Sequence, residues 1–182
     1  MFKPHRITDG WKSRVESTYR AGLPINAGAL VDIDTADTSG QTSSQGFGSL
    51  IAGSLKLATI ATAAQANELG ICVVNVVPGG LPLEDRVLGL TQNYMMVPEG
   101  LNAPIYKLLK GDVVGTTEFV GNLAGDSSLP GYLDTTNTAN FNASCGIFNG
   151  RFRIQQGSEK FRARFVGTST QGGALVALFE IQ

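Results

Sequence analysis

Residues 150–167 read GRFRIQQGSEKFRARFVG. In an extended chain successive side chains point to opposite faces. Arg151 and Arg153 then share one face while Phe152 and Ile154 take the other, and Lys160, Arg162 and Arg164 stand opposite Phe161, Ala163 and Phe165. This is the period of half-buried strands, not of a helix. A hairpin turning through QQGSE would send the phenylalanines into a core and gather five cations on one side. Like charges facing each other across strands repel, so acid must cover that ladder or the cations must spread into solvent.

Three covers are compatible with the residues. Nucleic acid is disfavoured, because single-strand binders present aromatics on the charged face as stacking platforms, and here the aromatics turn inward. The chain's own acids are a second cover, with Glu159 and Glu180 nearest in sequence and Asp32 or Asp34 further candidates. A neighbouring subunit is the third, since a guanidinium pairs bidentately with carboxylates while its stem packs on apolar surface.

The same period extends outward through the chain. AGALVDID (27–34) alternates Ala29, Val31 and Ile33 with Asp32 and Asp34, and SLIAGSLKLATI, GICVVNVV, QNYMMV, APIYKLLKGDVVGTTEFVG and ALVALFEI give further short apolar runs. The 23 glycines and seven prolines punctuate them, which favours many turns between short strands. Residues 35–48 form a polar loop, and 121–144 a long surface excursion. ATAAQANELG permits about two helical turns ending at Gly70. These features predict an all-β fold, an antiparallel β-sandwich or β-barrel, as a single β-rich domain over residues 23–182.

Residues 1–22 differ. Lys3, Arg6, Lys12, Arg14 and Arg20 against Asp9 and Glu16 give this segment a net +3, leaving −4 for the rest of a chain whose total is −1. Trp11, Val15 and Tyr19 recur at i, i+4 and i+8 between an Asp9 cap and Gly22–Leu23–Pro24, the pattern of a short amphipathic helix. So short a helix is marginal in water and orders only against a surface. The segment is expected to be a basic N-terminal arm, extended or partly helical.

Little in the sequence speaks of catalysis. His5 is the single histidine, which leaves Ser/His/Asp and Cys/His systems without a base close to the rest of the chain. Two isolated cysteines lack the paired spacing of zinc sites. Cys72 and Cys145 are expected to stay reduced and inert. VDIDTADTSG fails as a calcium loop, because its sixth and twelfth positions are Asp37 and Ser43. GFGSLIAGS places Ile51 where a dinucleotide fingerprint needs its third glycine. Glu84 and Asp85 are adjacent and point to opposite faces of any strand. The chain is therefore expected to be no enzyme and to need no cofactor or metal. No run approaches the ~20 apolar residues of a membrane-spanning helix, and no secretory leader is legible.

A nearly neutral all-β chain rich in Gly, Ser, Thr and Asn, with LPINAGALVDIDTADTSGQ near its start, GICVVNVVPGG in its middle and GRFRI, KFRARFV and ALVALFEIQ at its end, resembles the decoration, or cement, proteins of tailed-bacteriophage heads. The similarity is one of style across most of the chain, without a diagnostic motif. It implies a virion protein, made in the host cytoplasm, that binds an assembled capsid as a trimer or dimer and bridges adjacent capsid subunits. The interface candidates are Lys3, Arg6, Trp11, Lys12, Arg14, Tyr19 and Arg20 of the arm, together with Arg151, Arg153, Lys160, Arg162 and Arg164. A ring-forming tail or baseplate subunit is one alternative. A carbohydrate-binding β-sandwich is another, with Tyr94, Tyr106 and Tyr132 as its stacking platforms.

Overall fold

The computed structural model describes residues 2–6, 15–33, 56–62, 69–73, 96–99, 102–121, 127–157, 159, 163–171 and 174–182. Among these residues the fold is all-β, with thirteen strands and one 3-10 turn, Thr138–Asn140. A six-stranded sheet runs in the order β1 (Phe2–Arg6), β9 (Val113–Thr116), β13 (Ala174–Ile181), β12 (Ala163–Gln171), β10 (Ser144–Phe148), β11 (Arg151–Ile154). A second sheet closes on itself as a barrel through β2 (Val15–Ala21), β5 (Lys56–Ile60), β4 (Leu30–Asp32), β6 (Leu69–Cys72) and β8 (Asn102–Lys107). A small ribbon pairs β3 (Ile25–Asn26) with β7 (Met96–Val97). Barrel and sheet thus occur together. Among the described residues the named strands pair antiparallel except β2 with β5, which are parallel, and two isolated bridges, Phe119 with Phe152 and Gly121 with Leu133, are parallel as well.

Alternation assigns each barrel residue to one of two cores. In the cross-strand row Leu30, Ile71, Tyr106 the side chains leave the barrel and join the main core; in their neighbours Val31, Cys72 and Ile105 they fill its interior. Five strands leave a narrow lumen, and Ala21, Ala29, Ala58 and Ala103 suit it. Gly70 is the extreme case. A Cβ there would overlap Cγ2 of Ile105 and stand 3.2 Å from the carbonyl oxygen of Tyr106. The glycine expected to stop a helix lies inside a strand, at a point where the barrel has no room for a side chain; residues 63–68 of that expected helix lie outside the described residues.

The main core lies between the barrel's outer face and the six-stranded sheet. Val114, Cys145, Ile147, Phe152, Phe165 and Phe179 meet Leu30, Ile71 and Tyr106 there, all at 0–1% exposure. The Phe152 and Phe179 rings stack with centroids 4.1 Å apart. Polar ties cross between the layers: the Thr116 hydroxyl donates to the Gly28 carbonyl at 2.9 Å, and the Tyr106 hydroxyl to the buried Asp112 carboxylate at 3.1 Å.

The amphipathic helix expected between Asp9 and Gly22 is not formed over its described residues. Val15–Ala21 is a strand between β5 and β8, and without it the barrel would not close. Tyr19 is 4% exposed in the barrel core. Tertiary closure overrides a helical spacing whose intrinsic support was small. The expected arm of residues 1–22 therefore overlaps the barrel at 15–21, while its first residues, Phe2–Arg6, are extended and pair with β9.

Candidate interaction surface

The turn that builds this surface is Asn149–Gly150. Both residues have positive φ, 45° and 74°, the two-residue geometry that matches strand twist and that Asn-Gly favours. It joins β10 to β11, with Phe148 paired to Arg151, Ile147 to Phe152 and Gly146 to Arg153. The expected hairpin of 151–154 with 160–166 is not formed among its described residues. β10 lies between those strands, pairing Ser144 with Arg164 and Cys145 with Ala163 on its other side.

The cationic face survives this change of partners. Ser144, Gly146 and Phe148 share one face of β10 by alternation, and opposite them stand Arg164, Arg153 and Arg151. Phe152, Ala163 and Phe165 turn into the core at 0% exposure, as the period predicts.

Each of the three arginines meets a glutamate of the same chain. Arg164 pairs with Glu180, its cross-strand neighbour on β13. Arg153 pairs with Glu159, and Arg151 Nε lies 3.4 Å from Glu118 Oε2. Self-neutralisation is thus the cover adopted at these positions, and Glu159 and Glu180 are the acids nearest in sequence. Glu118 escapes sequence reading. It arrives because the segment beside it forms a parallel bridge, Phe119 with Phe152, that hydrogen bonds to β11 through the Glu118 carbonyl and the Val120 amide.

The pairs differ in their surroundings. The Arg151 and Arg164 side chains are 42% and 40% exposed, so water screens them. Arg153 and Glu159 are 11% and 6% exposed. The Phe152 amide and carbonyl bond to the 118–120 segment, so the opposed Ile147 turns its own amide away from β11. Glu159 Oε2 accepts that amide at 3.2 Å. The carboxylate reaches it across Gly146, where any Cβ would overlap it. Arg153 also lies over the Phe148 ring, 5.4 Å from its centroid, and its buried Nε has no hydrogen-bond partner.

Burial pushes the thiols of Cys72 and Cys145 up to about 12, far from the range of a nucleophile at neutral pH. Both are free. Among the described residues no group of three His, Cys, Asp or Glu is placed to hold a metal ion, and no helix is long and apolar enough to cross a membrane. In the surface excursion Asp134 accepts the hydroxyl and amide of Thr136 at 2.6 and 2.9 Å, which holds its carboxyl below the usual range. Leu133, in the same excursion, is fully buried.

The other candidates divide sharply. Tyr19 belongs to the barrel core, and Arg20 is half-buried on β2. Lys3 and Arg6 lie on β1, opposite Gly115 and Val113. Trp11, Lys12, Arg14, Lys160 and Arg162 lie outside the described residues, as do Tyr94 and the acids Asp34, Asp37, Glu84 and Asp85. Tyr106, named as a sugar platform, is 0% exposed with its hydroxyl on Asp112, and cannot stack on a ligand. Comparison with protein-family models, curated proteins and solved structures gives no match for this chain.

Proposed function

We propose that this chain is a non-enzymatic structural protein of a phage virion, which binds the assembled capsid and bridges adjacent subunits. The observation that carries the reading is how the cationic residues are used. Arg151, Arg153 and Arg164 are bound by glutamates of the same chain, so this face serves the fold. Lys3, Arg6, Lys12 and Arg14 against Asp9 give residues 1–14, which precede the barrel strand β2, a net +3, and this is the charge concentration assigned to an acidic partner. A barrel fastened to a sheet by interlayer hydrogen bonds supplies one attachment, and the basic residues that precede β2 supply the second. Two linked contacts reinforce each other through effective concentration, so occupancy depends on a lattice presenting both at once.

The test keeps the barrel whole. Purified particles from the source are mixed with the chain and with its K12E/R14E variant, and occupancy is read by electron microscopy and by co-sedimentation. Wild type decorates the shells and binds isolated capsid subunits weakly, while the variant loses occupancy and keeps its circular dichroism. Equal occupancy by both proteins rejects the role of the basic segment. Rings formed by the chain alone would transfer the reading to a tail or baseplate subunit.

A further inference from the structure

Among the described residues the first strand, β1, stands at the edge of its sheet. Among the described residues β1 pairs only with β9, through Phe2 with Thr116, Lys3 with Gly115, Pro4 with Val114 and, after an irregularity, Arg6 with Val113. The hydrogen-bonding sense of each pair follows from the other side of β9. Ile181 donates its amide to the Asp112 carbonyl at 2.8 Å. In an antiparallel ladder bonded and non-bonded pairs alternate, so Val114 and Thr116 bond to Phe179 and Ala177 of β13, while Val113 and Gly115 turn their amides and carbonyls toward β1. Lys3 and Arg6 meet those groups. Pro4, opposite Val114, turns its main-chain nitrogen away from β9, where an amide would have pointed off the sheet.

This placement has two consequences. Proline costs the β1–β9 ladder nothing, because the missing donor lies on the outer side. The same missing donor stops a further strand from adding beyond β1. β1 is thus a strand suited to filling an edge and ending it. It is held to β9 by a short ladder, and β9 follows it by more than a hundred residues in the sequence. Its covalent link to the barrel is residues 7–14, which when extended reach up to about 26–29 Å.

We propose that β1 is exchanged between two copies of this chain, each sheet receiving its Phe2–Arg6 strand from the partner in a closed two-fold dimer. Reciprocal exchange keeps every β1–β9 hydrogen bond of two separate chains and adds whatever surface the copies bury together, which makes it a low-cost route to a dimer. Pro4 makes the product finite, since neither sheet can extend past the donated strand. The inference does not depend on the capsid reading, because its partner is the chain itself.

The experiment uses the full chain carrying R6C and V113C, whose Cα atoms as a bonded antiparallel pair stand about 5.5 Å apart, within disulfide reach. Cys72 and Cys145, buried and with thiols at about 12, stay out of the reaction. Mild oxidation is expected to give a covalent dimer at twice the 19.1 kDa chain mass on a non-reducing gel, reversed by dithiothreitol. R6C and V113C single variants, unfolded and refolded together, are expected to give a crosslinked mixed dimer. A doubly substituted chain that closes its disulfide within itself and runs as a monomer overturns the proposal. So does a 19.1 kDa mass for the unmodified chain by light scattering, or an oligomer in which no crosslink forms. None of these readouts uses particles, so this proposal and the capsid reading can fail separately.

Discussion

Gly146 and Glu159 occupy one space: the carboxylate of Glu159 lies where the Cβ of any residue other than glycine at 146 would be, and from there it reaches both the Ile147 amide and Arg153. The conjunction fastens the segment after β11 onto β10. The first expected outcome follows from it. G146A displaces the carboxylate, leaves Arg153 buried without its partner and should cost about 3 kcal/mol, a fall in Tm of roughly 6–12 °C for a chain of this size. Thermal melts of wild type and G146A check it, and an unchanged Tm would show that Glu159 is not held there.

The two kinds of ion pair should separate in a double-mutant cycle. Removing one partner of the buried pair, as in E159A, should cost about 3–5 kcal/mol, whereas R153M/E159L should recover much of that loss, because apolar groups replace both charges. R164A and R151A, at exposed pairs, should each cost about 0–1 kcal/mol. Urea titrations decide the matter. Equal costs for R164A and E159A would contradict the burial difference between the pairs.

The β10–β11 turn is the hinge pin between the layers. The Gly150 amide donates to the Ala61 carbonyl at 2.9 Å, and its carbonyl accepts the Leu30 amide at 2.7 Å. G150A places a Cβ 2.9 Å from Ile60 Cγ2 at a backbone angle of φ 74°, so both sterics and conformation oppose it. A loss of about 1–3 kcal/mol is expected, with faster hydrogen exchange at the Leu30 and Gly150 amides read by NMR.

The thiols set an alkaline limit. Each ionises near 9 when unfolded and at about 12 when folded, so above pH 9 the unfolded state loses protons that the folded state retains. Stability is unaffected by these groups below pH 9 and falls between 9 and 12, by about 1.4 kcal/mol per pH unit for each thiol. The C72A/C145A variant should lose less stability than wild type from pH 9 to 11. At pH 8 both cysteines should resist Ellman's reagent until the chain is unfolded.

Truncations should locate the boundary between appended and integral chain. Removal of residues 1–22 takes away β2 and should abolish cooperative unfolding, because the barrel loses a closing strand and Tyr19 from its core. Y19A alone should cost about 3–5 kcal/mol. A cooperative melt for residues 23–182 would restore the wider arm read from charge and spacing.

Sequence alone determined which way the strands face. Alternation put Phe152, Phe165, Val31 and Ile33 inside and Arg151, Arg153 and Arg164 on one outer face, because the pleat is a local property of the backbone that neighbouring residues set together. It also reached two of the three covering acids, Glu159 and Glu180. Asn149–Gly150 carries the two-residue hairpin signature, whereas the sequence reading turned the chain at QQGSE. Tertiary structure decided who pairs with whom. That β10 separates β11 from β12, that Glu118 meets Arg151, and that Val15–Ala21 is a barrel strand instead of a helix all depend on segments distant in sequence. Closure of the barrel and burial of two apolar cores outweigh the few tenths of a kcal/mol per residue that local propensity offers, so these choices are settled only when the whole chain packs.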